Sequence, residues 1–106
     1  MNTEQVNQAY SKVIKATKAA QVAGIASVKA KQTVERSVML AMASGEIIGK
    51  NATIRDAEAF RMFEKEYEAK DTLEEDYKTK SLALTLAQLE LNCLRDCIRV
   101  EELTKK

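Results

Sequence analysis

Apolar and small residues recur at steps of three and four along the first part of the chain: Val6, Ala9, Tyr10, Val13, Ala16, Ala20, Ala23, Ser27, Ala30, Val34, Val38 and Ala41. That spacing is the period of an α-helix with one packed face, and it predicts a first helix over about residues 3–44. The middle of the face is built from small side chains, Ala16, Ala19, Ala20, Ala23, Gly24, Ala26, Ser27 and Ala30. They let another helix backbone come close, so a tight antiparallel contact is expected. Gly24 costs a helix about 1 kcal/mol against alanine, and reads as relief of crowding at that contact, with a bend as the alternative.

The strongest punctuation is Ser44-Gly45-Glu46-Ile47-Ile48-Gly49-Lys50-Asn51. Gly45 suits a left-handed C-cap, Gly49 suits a second left-handed turn, and Asn51 or Thr53 suits the next N-cap. A reversal over residues 45–52 follows. Ile47 and Ile48 interrupt an otherwise polar connection, which predicts that both are tucked beneath an ordered loop.

From Ile54 to the last residue there is no glycine and, as throughout the chain, no proline. Ile54, Ala57, Phe60 and Phe63 keep helical spacing, as do Leu73, Tyr77, Leu84, Ala87, Leu91, Leu94 and Ile98, but the phase slips between the two sets. The slip lies in an acidic stretch, and Thr72 with Glu75 has the spacing of a capping box. One long helix over about 53–104, bent near residues 70–72, is expected; a break near Asp71 giving a three-helix arrangement is the alternative.

A second apolar stripe, Leu82, Leu86, Leu89, Cys93, Cys97 and Val100, runs beside Leu84, Ala87, Leu91, Leu94 and Ile98. Together they make an apolar surface wider than one partner helix covers. The first helix offers mainly alanine and valine, so a homodimer with a four-helix arrangement is expected, its interface formed by Leu82, Leu84, Leu86, Leu89, Leu91, Cys93, Leu94, Cys97, Ile98 and Val100. The architecture is thus an all-α, single-domain antiparallel helical hairpin of 106 residues that dimerises.

Composition then narrows the chemistry. There is no histidine or tryptophan, no glycine-rich phosphate loop and no strand pattern to carry a nucleophile, so a noncatalytic protein without a cofactor is expected. Cys93 and Cys97 stand one helical turn apart. Without further Cys or His they read as small packing residues and not as a metal site, unless two copies pool their thiols. The longest apolar run, Val38 to Ala43, is far shorter than the ~18 residues of a membrane span, and no basic segment leads into an apolar one near Met1. A cytoplasmic protein with reduced thiols and no membrane partner is expected.

Lysine and arginine number 17 against 16 acidic residues, yet the signs are unevenly placed. Residues 1–43 carry six cations and two carboxylates, a net of +4; residues 53–106 carry ten cations and thirteen carboxylates, a net of −3. Complementary pairing between the two arms accounts for this in part. The remainder is a basic edge of Lys12, Lys15, Lys18 and Lys29 that could touch nucleic-acid phosphates, without aromatic residues to stack bases. Opposite in sign, Glu64, Glu68, Asp71, Glu74 and Glu75 form a candidate protein-contact surface, with Glu66/Lys70 and Glu74/Lys78 oriented for neutralising pairs.

The string Gly49-Lys50-Asn51-Ala52-Thr53-Ile54-Arg55-Asp56-Ala57, followed by a charged helix and Ala87-Gln88-Leu89-Glu90-Leu91, resembles small helical proteins encoded in bacteriophage genomes. In that group a Gly-Lys-Asn-x-x-x-Arg-x-Ala signature follows a long first helix, often near replication and recombination genes. The resemblance implies phage or prophage origin, and in the host cell a cytoplasmic location. Physically, Asn51 can cap exposed amides and Arg55 can reach loop carbonyls or Glu46. Lys50, Asn51 and Arg55 at a helix N-terminus are also a candidate anion site. The resulting expectation is an adapter that associates with nucleic acid or with a replication or recombination protein. The alternative is a protein-directed inhibitor or structural module acting through the 64–76 surface.

Overall fold

A computed structural model describes residues 3–104, and these are almost entirely helical, with no strand among them. Three helices follow in order: α1 (Thr3–Ala43), α2 (Ala52–Met62) and α3 (Glu64–Thr104). The fold is all-α. None of these helices is long and apolar enough to cross a membrane.

The second half of the chain is therefore two helices, and the interruption falls at Phe63 and not near Asp71. Lys70, Asp71 and Thr72 are interior residues of α3, so the expected second capping box caps nothing. Phe63 closes α2 with φ −116° and ψ 34°, outside the helical well, while its N–H still donates to the Ala59 carbonyl. Its own carbonyl accepts from the Tyr67 N–H at 2.9 Å, so the ladder resumes at once. Across this one distorted residue the buried and half-buried positions Ala59, Phe63, Tyr67 and Lys70 keep helical steps, so the slip read from Ile54, Ala57 and Phe60 belongs to an exposed face. Phe60 and Tyr67 bracket it with ring centroids 5.5 Å apart.

The chain divides into two compact units, one made of the residues up to Val22 with those from Tyr77 onward, the other of Ala23–Asp76. In the first unit α1 and α3 run antiparallel, because Tyr10 meets Arg95 while Lys12 meets Glu90. Ala9 and Ala20 from α1 are buried, as are Ala87 and Leu91 from α3. Small residues on one helix and leucine on the other are what close approach requires. Arg95 also lies over the Tyr10 ring, its guanidinium carbon 5.1 Å from the centroid.

In the second unit the core is Ala41, Ile47 and Ala59, with Val38 and Phe63 packed on it. The end of α1 is a Schellman motif: Glu46 N–H donates to the Ala41 carbonyl at 2.9 Å and Gly45 N–H to the Met42 carbonyl at 3.3 Å. Gly45 takes φ +81°, the left-handed conformation that glycine adopts without penalty. Gly49 is needed for a different reason than a turn. It has no positive φ, but a Cβ there would stand 2.7 Å from the Ile54 side chain and 2.9 Å from the Arg55 nitrogen.

α2 also presents a different face from the one its spacing suggested. Ala59 is buried at 2% exposure, whereas Ile54 and Phe60 remain 44% and 53% exposed and Ala57 is exposed. The reason is polar. The 44–51 connection carries backbone groups that need partners, and α2 turns Arg55 and Glu58 toward it. Ile47 is buried as expected, but Ile48 is 77% exposed, because only one of two adjacent residues can point under the turn.

Candidate functional site

At the loop, Asn51 is the N-cap of α2, with extended backbone and a side-chain oxygen accepting the Ile54 N–H at 3.0 Å. Arg55 Nη1 donates to the Gly49 carbonyl at 3.3 Å. Glu58, which the sequence reading did not single out, accepts the Ile48 N–H at 3.1 Å through Oε2. Lys50 is exposed beside them. Two of the three residues of the candidate anion site are thus engaged in holding the loop itself. Glu58 adds a carboxylate to the same neighbourhood, which opposes an anion.

The basic edge divides. Lys12 Nζ lies 2.9 Å from Glu90 Oε2 in the first unit, both side chains being more than half exposed, so this cation is spent on a surface ion pair. Lys15 and Lys18 are exposed, and helical period places them on the side of α1 away from Ala9 and Ala20. In the second unit Lys29 and Arg36 are exposed on the side away from Ala23, Ser27 and Val34. Arg36 belongs with the candidate cations, and its signal in the sequence was its register, one full heptad beyond Lys29.

In the acidic stretch Glu64, Glu68, Asp71 and Glu75 are exposed, while Glu74 is half-buried. Lys70 turns forward along α3 and not back to Glu66: its Nζ is 3.3 Å from Glu74 and 3.8 Å from Asp71. This agrees with its low exposure, since a half-buried ammonium needs carboxylates close by. Among the described residues no group of three or more Cys, Asp or Glu is arranged to hold a metal ion.

The ten residues expected at an oligomer interface fall on two sides of α3. Leu84, Leu91, Leu94 and Ile98 are buried or half-buried within the first unit, on the side that carries Ala87. Leu82, Leu86, Leu89, Cys93 and Val100 are exposed, and Leu103 continues their line at 65% exposure. Leu89, Cys93, Cys97 and Val100, with Asn92, Asp96 and Glu101, line a shallow, mainly apolar groove. Cys93 is therefore not a packing residue of the single chain. Cys97 is half-buried; partial burial pushes its thiol above the ordinary range, and the neighbouring Cys93 thiol, Glu101 and Asp96 push the same way.

In comparisons with known proteins the chain matches no family model, no curated protein and no solved structure.

Proposed function

We propose that this chain is a noncatalytic helical accessory protein that associates with nucleic acid, or with a protein that works on it, through the outward cations of α1. The observation behind this reading is the placement of Lys15 and Lys18 in one unit and of Lys29 and Arg36 in the other. All four are exposed and turned from the packed side of α1, at helical positions where the phosphates of a polyanion can be met without disturbing the core. No aromatic side chain interleaves with them, so the contact is electrostatic and indifferent to base sequence. The lack of histidine in the sequence and the resemblance of Gly49 to Ala57 to phage-encoded helical proteins support a binding role in a phage or prophage setting over catalysis. In this reading two copies act together, joined through α3.

The test is a gel shift at low and at physiological salt with single- and double-stranded nucleic acid. The wild-type chain should shift either probe at low salt, and Lys15→Glu/Lys18→Glu should weaken that binding about tenfold or more while flattening its salt dependence. Absence of any shift at low salt would remove direct nucleic-acid contact. A second reading, capture of a protein through Glu64, Glu68, Asp71 and Glu75, is favoured by the exposure of these carboxylates along the first turns of α3. It predicts loss of capture on charge reversal at Glu68 and Glu75, with no change in the gel shift.

A further inference from the structure

Leu82, Leu86, Leu89, Cys93, Val100 and Leu103 form one line on the outer side of α3, spaced four, three, four, seven and three residues apart. That is the heptad spacing of a helix–helix seam, in which the exposed Asp96 takes the position between Cys93 and Val100. The five aliphatic members are 57% to 65% exposed in the single chain. The line spans about 32 Å at the rise of an α-helix. At roughly 100 Å² of apolar area per exposed side chain, one copy offers on the order of 500 Å². Two such faces, with the polar residues at their edges, approach the roughly 1,200–2,000 Å² that stable interfaces bury. A patch of that size is in the range of the largest apolar patches on monomers, which are often functional. Its carboxylates, Asp96 within the row and Glu101 beside it, turn away a polyanion.

We infer that the occupant of this row is a second copy of the same chain, docked through a two-fold contact centred on Cys93. The inference rests on the reading of two joined copies above and specifies how they meet. Only a copy of the row is certain to have the matching length and the matching heptad spacing, and a two-fold contact is the closed arrangement in which one surface covers itself. Cys93 lies eleven residues after Leu82 and ten before Leu103, at the midpoint of the row. When a two-fold contact uses a whole row, the midpoint residue meets its own copy, whichever way the two helices run. The two Cys93 thiols then face each other across the axis, while each Cys97, half-buried and one helical turn further along the same groove, lies off the midpoint.

Two measurements on the intact chain decide this. Light scattering across dilution should give twice the chain mass for wild type and the single mass for Leu86→Asp/Leu89→Asp, with circular dichroism unchanged. Treatment with diamide, which takes up the two electrons and two protons of thiol coupling, should cross-link wild type and Cys97→Ser into covalent dimers but leave Cys93→Ser uncoupled. The cross-link needs no destabilising variant, so it tests the contact even if the double variant misfolds. A single-chain mass at every concentration overturns the inference and leaves the row to another protein. So does a dimer indifferent to Leu86→Asp/Leu89→Asp, or coupling that passes through Cys97. A monomer that still shifts nucleic acid would overturn the contact and the joining of two copies while leaving the proposed nucleic-acid contact through α1 standing.

Discussion

The two compact units are made of the same helical material and are held in different ways. Ala23–Asp76 concentrates every sharp feature of the chain: a Schellman cap, an asparagine N-cap, a distorted phenylalanine and a small core of Ala41, Ile47 and Ala59. Among its described residues the other unit has no turn. It has a seam of alanines against leucine, surface pairs such as Lys12 with Glu90, and a row of large apolar residues from Leu82 to Leu103 turned outward. The difference teaches where specificity resides: backbone hydrogen bonds and steric fit define the first of these units, whereas the second is an open surface with a seam of small side chains.

The largest effect that breaks this comparison is expected at Ala59, which is 2% exposed in the capped unit. Ala59→Asp places an unpaired carboxylate beside Ile47 and Phe63 and should lower unfolding free energy by roughly 3–5 kcal/mol, read by urea denaturation. Leu82→Asp, at a 59% exposed site of the other unit, should change the stability of the single chain far less. Equal losses at the two sites would erase the distinction.

Next come the two glycines of the loop, which are required for separate reasons. Gly49→Ala forces a Cβ against the Arg55 nitrogen, a backbone atom that cannot step aside, and should cost about 1–3 kcal/mol. Gly45→Ala meets open space, and its cost is the left-handed backbone alone, roughly 1–2 kcal/mol. Replacing Gly45 by asparagine, which tolerates that backbone, should recover part of the loss, whereas Gly49→Asn should recover nothing. Thermal melts of the four variants check the distinction.

The smallest effect is chemical. In the Leu86→Asp/Leu89→Asp background, where the row is left open, alkylation at about pH 8 should modify exposed Cys93 several-fold faster than half-buried Cys97, as read by mass spectrometry. The folded state holds the Cys97 proton more tightly than the unfolded chain does, since its thiol is raised. The corresponding stabilisation is complete below the ordinary thiol range and falls as pH rises through it. Stability that increased on raising the pH past that range would contradict the assignment.

How much of this was legible in the sequence depends on which physical signal carried it. Helix period gave α1 and the packed side of α3 directly, because one face of each is buried and the spacing of Ala9, Ala20, Leu84 and Leu91 reports it. Gly45 and Asn51 were legible because their roles depend on local backbone conformation, which residue type encodes. The break at Phe63 was not. The spacing pointed to a slip in the acidic stretch, whereas the distortion is at one residue, Phe63, which keeps its hydrogen bond to Ala59. Nor was the inward face of α2 legible, since Arg55 and Glu58 turn toward a loop whose unmet N–H and carbonyl groups exist only once it has folded. At the candidate site the exposed apolar row was readable as surplus hydrophobicity. The local roles of Asn51 and Arg55 were readable too, whereas the engagement of Lys12 depended on Glu90, 78 residues away, and spacing along one helix does not report that.

The distribution of sequence separations has a consequence for how the chain acquires its structure. Ala41, Ile47 and Ala59 come together by closing loops of fewer than twenty residues, which carries a small entropic cost and proceeds without help from the rest of the molecule. Tyr10 and Arg95 are 85 positions apart, and Lys12 and Glu90 are 78. Contacts at such separations form last, after the reversal at Gly45 has shortened the effective loop between them. The capped turn is therefore expected to act as the nucleus, with high φ-values at Ala41 and Ala59 and low ones at Tyr10 and Leu91 in folding kinetics.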